Sequence, residues 1–187
     1  MSEDARQAAT AQVPLPPILI NTQYAKELSF RVPGAPGIYA NMPERPHVIL
    51  ALDVLVRPIL DVQPQPVFEV TLTIKCEASV TAPQEGAAPP VIAYQLELGY
   101  AGIFTLANVP QNAIEPVLLA ECPRLLFPFA RRLLADITRE AGFAPVLLQP
   151  IDFVAFWQNK RQQNAQAERA AEAPASQEIV TSAFTRT

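Results

Sequence analysis

From Val67 to Thr81 the chain alternates apolar and polar residues without a break, a period that fits an extended strand with two unlike faces. The even positions carry Phe68, Val70, Leu72, Ile74, Cys76, Ala78 and Val80, and the odd ones include Glu69, Thr71, Thr73, Lys75, Glu77 and Ser79. Val91 to Tyr100 repeats the pattern, with Ile92, Tyr94, Leu96, Leu98 and Tyr100 opposed to Gln95, Glu97 and Gly99. Tyr24 to Val32 sets Tyr24, Leu28, Phe30 and Val32 against Ala25, Glu27, Ser29 and Arg31, with Lys26 the one misfit on the apolar side. Val48 to Val56 alternates less cleanly: Ile49, Ala51, Asp53 and Leu55 share its odd face, so both of its sides are expected to be partly covered. Strands with one wet face belong to antiparallel sheets, because parallel sheets are covered by helices on both sides. Four such strands are predicted. Ala82 to Pro90, with Gly86 at its middle, is the expected hairpin connection between the third and fourth.

After Val109 the period lengthens. From Leu125 onward Leu126, Phe129, Leu133 and Ile137 recur at three- and four-residue spacing, broadened by Leu125, Ala130 and Leu134, while Arg131, Arg132, Asp136, Arg139 and Glu140 fill the other side. Pro128 should kink this helix or mark its first turn, and Gly142 should stop it. A second helix is expected to start with Asp152 as N-cap. Its large apolar residues, Phe153, Val154, Phe156 and Trp157, end within two turns, so only its start should be docked. The fold class is therefore α+β, a four-stranded antiparallel sheet followed by two C-terminal helices. Residues 18–163 are expected to form the domain, 1–17 a flexible N-terminal segment, and the Ala-, Gln- and Glu-rich 164–187 a mobile tail.

Apolar residues make up 50% of the chain and charged ones only 17%, against about 25% in ordinary soluble domains. That predicts apolar surface facing another subunit or a ligand. The net charge of −4 offers no basic footprint for nucleic acid. Met1 to Thr10 carries Glu3 and Asp4 and has neither the basic nor the apolar region of a secretory signal, and no apolar run reaches membrane-spanning length. A cytoplasmic protein with no direct membrane insertion is expected.

Catalysis finds little support in these residues. His47 is the only histidine, and no nucleophile or acid stands beside it in sequence. Cys76 lies on the apolar face of its strand, Cys122 precedes a proline, and the two form no metal-ligand pattern, which predicts reduced thiols. No glycine-rich stretch leads from a strand into a helix. The expectation is a binding protein with no catalytic residues, no metal and no cofactor. An α+β enzyme or carrier with a pocket between sheet and helix is the competing class. Two features point to binding. Phe143 to Ile151 joins two helices yet is almost wholly apolar, and is read either as packing on its own subunit or as a surface for an extended guest chain. The odd face of the sheet, with Glu27, Glu69, Glu77, Glu97, Arg31 and Lys75, is read as a solvated face or as a flat docking surface for a basic partner.

The order of certain motifs resembles the SecB family of protein-export chaperones. They are Tyr24-Ala-Lys-Glu-Leu-Ser-Phe30, Val32-Pro-Gly-Ala-Pro36, Phe68-Glu-Val-Thr-Leu72, Gly102-Ile-Phe104, Cys122-Pro-Arg-Leu-Leu-Phe-Pro-Phe-Ala130, and the stretch Pro145 to Phe156. The resemblance implies a SecB-like subunit assembling as a homotetramer, a dimer of dimers. It implies an ATP-independent holding chaperone that keeps secretory precursors unfolded in grooves lined by Gly34 to Pro46 and Phe143 to Ile151. The client-binding residues it implies are Tyr39, Phe143, Val146, Leu147 and Leu148. Delivery would be to the SecA ATPase, docking on Glu27 and Glu97. Arg31 stands where many members carry a third acidic residue, and Gln95 stands at an apolar contact position. The tryptophan often found in the loop after the first strand is absent, leaving Tyr39 as the aromatic residue from Tyr39 to Pro46. A related chaperone guarding an antitoxin is the alternative within the same class.

Overall fold

The computed structural model describes residues 16–40, 46–59, 65–81 and 89–172. Four strands, β1 (Ile18–Arg31), β2 (His47–Ile59), β3 (Val67–Ser79) and β4 (Ile92–Leu106), form one antiparallel sheet in the order β1-β4-β3-β2. Helical chain follows in three parts: α1 (Gln111–Pro116), a π-helical turn (Val117–Glu121) and α2 (Cys122–Glu140). After the connecting segment comes α3 (Phe153–Glu172). The β3–β4 pairing expected of a hairpin is present, while residues 82–88 of its loop lie outside the described residues.

Register makes the four alternations agree. Leu52, Ile74 and Leu98 stand in one row, as do Val54, Leu72 and Tyr100, so the even positions of β2, β3 and β4 share one face. On this face Leu72, Ile74, Leu98 and Phe104 are fully buried beneath Leu126, Ala130 and Leu134 of α2. Each such side chain contributes roughly 1.5–3 kcal/mol of transfer free energy, which makes this layer the main favourable term of the fold. Close approach of α2 depends on Gly102, where a Cβ would lie 2.8 Å from the Phe104 ring and 2.9 Å from Leu126.

β1 corrects the sequence reading. Its register slips between Ala25 and Glu27, leaving Lys26 as the extra residue of a bulge. A bulge reverses the face of everything on its far side, so Tyr24 is not on the apolar face with Leu28 and Phe30. Its hydroxyl instead donates to Glu69 on the polar face, and Lys26 Nζ reaches the other oxygen of the same carboxylate at 2.6 Å. The misfit lysine marked the irregularity.

The helices differ from expectation at their starts. Helical chain begins at Gln111, well before Leu125, and Pro128 lies inside α2 rather than in its first turn. Pro123 has no N–H to offer an ordinary helical bond, and just before it the spacing widens, with Cys122 N–H donating to Val117 C=O. The buried stripe of α2 runs through Leu126, Phe127, Ala130, Leu134 and Thr138, while Leu125 and Phe129 from the expected stripe are exposed. Phe129 lies 47% exposed with its ring stacked on Tyr100. The helix stop is as expected. Gly142 adopts φ +84, Gly142 N–H donates to Arg139 C=O at 2.9 Å and Phe143 N–H to Thr138 C=O at 3.1 Å, which together form a Schellman motif. Asp152 caps α3 through bonds to the N–H groups of Val154 and Ala155 at 3.0 and 3.1 Å. The backbone of α3 is helical from Phe153 to Glu172.

Candidate functional site

The residues considered for chemistry do not assemble a catalytic site. His47 is exposed at the start of β2, opposite Ser79. Both cysteines are buried and unpaired, and burial pushes the Cys76 thiol up to about 11 and Cys122 to about 12, the reverse of an activated nucleophile. Among the described residues no group of His, Cys, Asp and Glu is placed to hold a metal ion, and no helix is long and apolar enough to cross a membrane.

The apolar connection from Phe143 to Ile151 is built on two anchors. Phe143 enters the core directly after the Gly142 turn, 4.7 Å from the Tyr94 ring and 6.4 Å from Phe30. Thr138, fully buried in the last turn of α2, donates to Leu134 C=O at 2.9 Å and accepts from Val146 N–H at 3.1 Å. One hydroxyl thus ties the loop to the helix. Sequence reading missed Thr138, because a threonine in a helix carries no sign of the distant amide that it serves. Leu148 closes the second anchor at 5% exposure. Between the anchors Val146 is half-buried, and Leu147 is 64% exposed.

Tyr39 reaches the same place from the loop after β1. Its ring stacks on Phe143 at 5.2 Å and its hydroxyl donates to Ala141 C=O at 3.0 Å. The five residues named for client contact therefore meet in one region, but not in one role. Tyr39 and Leu147 face outward, while Phe143 and Leu148 form the wall behind them. Phe143 and Leu148 thus pack on their own subunit, while Leu147 of the same segment stays on the surface.

The polar sheet face is a charge lattice fixed by register. One row runs Arg31, Gln95, Glu77, Ile49; the next Ser29, Glu97, Lys75, Ala51; the next Glu27, Gly99, Thr73, Asp53. Gln95 donates to Glu77 at 2.8 Å and Lys75 pairs with Glu97 at 2.9 Å. Glu97 beside it holds the Lys75 ammonium above its usual range, with a smaller pull from Glu27. Arg31, Lys75, Glu77 and Glu97 border a shallow depression of about 430 Å³. Glu27 and Glu97 share this face, as alternation indicated, but the pairing of Glu97 with Lys75 needed the register. Further along, Lys26 and Tyr24 hold the Glu69 carboxyl below its usual range.

A family description, preprotein translocase subunit SecB, matches residues 11–164. This chain belongs to the SecB family. Two relatives named protein-export protein SecB are similar over most of their length. The one from Granulibacter bethesdensis is 53% identical over 85% of this chain and 91% of its own. The one from Acidiphilium cryptum is 48% identical over 82% of this chain and 95% of its own. Among solved structures, a SecB-like chaperone of Mycobacterium tuberculosis in complex with an antitoxin peptide aligns with 72% of this chain and 90% of its own, at 16% identity and a TM-score of 0.48. SecB proteins are chaperones of preprotein export, and the chain is accordingly a chaperone and not an enzyme.

Proposed function

We propose that this chain holds secretory precursors unfolded in the cytoplasm, on the surface formed by Tyr39, Val146 and Leu147, and passes them to SecA docked on Glu27 and Glu97. The observation that carries the reading is an apolar helix connection in which Leu147 faces outward while Phe143 and Leu148 of the same segment are buried in the core. An extended guest that covers it gains roughly 1.5–3 kcal/mol per apolar side chain fully buried, less its ordering cost, and needs no nucleotide. Sequence-tolerant yet tight capture then requires several such sites on one particle, because each bound segment raises the effective concentration of the next.

Apolar surface left open on the subunit favours that assembly. Leu125 and Phe129 of α2 and Leu28 of β1 are exposed on the helix-bearing side, which supports a homotetramer built as a dimer of dimers. Client capture and SecA docking occupy different surfaces, so a single substitution should separate them. Glu97→Lys is expected to weaken binding to purified SecA while leaving suppression of aggregation by an unfolded client unchanged, with normal circular dichroism and particle size. Unaltered SecA affinity would remove this face from the mechanism.

A further inference from the structure

Nothing in the family reading assigns a role to Lys75, yet it is the cation on the docking face that pairs with a docking carboxylate. Its Nζ lies 2.9 Å from Glu97 Oε1, and both side chains are open to solvent, at 62% and 39% exposure. Glu27, the second docking position, stands one row further along and two strands away. The intervening position is Gly99, which is buried and carries no charge, with Glu27 Cβ 3.4 Å and Thr71 Cγ2 3.7 Å from where a Cβ would stand. Lys75 thus stands on the same strip as both carboxylates that a basic partner would have to meet.

We propose that Lys75 is an internal competitor for the docking carboxylates, a built-in counterion that a basic partner must displace and that weakens docking on this face. This deepens, and rests on, the reading of Glu27 and Glu97 as the docking positions. Two effects act in one direction: Glu97 is partly neutralised before the partner arrives, and the lysine repels a basic group placed beside it. Because the pair is exposed, its contribution is modest and disappears as salt screens it.

Lys26 provides a control of equal charge. It directly precedes Glu27 in β1, but its Nζ is held 2.6 Å from Glu69, which stands opposite Ile103, far along the strands from the row of Glu97. Full-length chaperone carrying Lys75→Gln, Lys75→Arg, Lys26→Gln or Glu97→Gln would be titrated with purified SecA at low and high ionic strength, after particle size and circular dichroism are checked. Lys75→Gln should tighten docking about two- to fivefold at low salt, with the gain lost at high salt. Lys75→Arg and Lys26→Gln should stay near the parent. If Glu97→Gln weakens docking while Lys75→Gln leaves it unchanged or weaker, competition is refuted and the docking face survives. Equal tightening by Lys26→Gln would assign the effect to net charge and also refute competition. No response to either Glu97→Gln or Lys75→Gln would remove the docking face and the competitor together.

Discussion

Replacing Leu147 by Asp separates the client surface from the core behind it. Leu147 is 64% exposed, so about two thirds of its apolar area is available to a guest. Taking roughly 1.5–3 kcal/mol for complete burial, covering that share is worth about 1–2 kcal/mol, a factor of roughly 5–30 in affinity at each site. The substitution should cost the fold no more than about 0.5 kcal/mol, since an exposed position has few contacts to lose. Phe143→Ala is the contrasting variant. Phe143 is 7% exposed and its ring packs against those of Tyr39, Tyr94 and Phe30, so its truncation should destabilise by about 3–5 kcal/mol. Light scattering of an aggregating client, run beside urea denaturation, distinguishes the two. Leu147→Asp should raise the concentration needed for half suppression and leave the denaturation midpoint in place. Full suppression by Leu147→Asp would refute the client surface, and loss of particle assembly would show that the loop packs between subunits.

Two predictions concern the fold. Gly102→Ala should destabilise by about 1–3 kcal/mol, seen as a lower midpoint in urea, because the new methyl would meet Phe104 and Leu126 below 3 Å and α2 cannot move off the sheet without opening the core. Alkaline stability should follow the buried thiols. Burial raises Cys76 and Cys122 to about 11 and about 12 from an ordinary 9.0, so their contribution is fully present below 9.0 and is lost as pH rises toward the folded values. The thermal midpoint should therefore fall above that pH, and Cys122→Ala should flatten the decline; an unchanged slope would refute the assignment.

Much of this protein could be read along the chain. Alternation in β3 and β4 is set by residues two apart, so the strands, their apolar faces and the polar placement of Glu27 and Glu97 follow from local pattern. The C-terminal end of α2 and the N-terminal end of α3 were equally legible, because the left-handed turn at Gly142 and the carboxylate cap at Asp152 use residue types whose preferences are intrinsic. The membership of the SecB family was visible in the order of its motifs.

Properties that depend on partners distant in sequence were decided only by the tertiary structure. Lys26 announced an irregularity in β1, but that it flips Tyr24 toward Glu69 depends on the register against β4 and on what β3 places there. Whether an apolar residue between two helices lies in the wall or on the surface depends on where Thr138 holds the Val146 amide, a contact between residues on different elements. Lys75 and Glu97 look like ordinary surface charges until β3 and β4 pair them. Periodicity fixes the direction of a side chain relative to its own strand or helix, whereas contact requires two segments in one register, and that is set by the packing of the whole core.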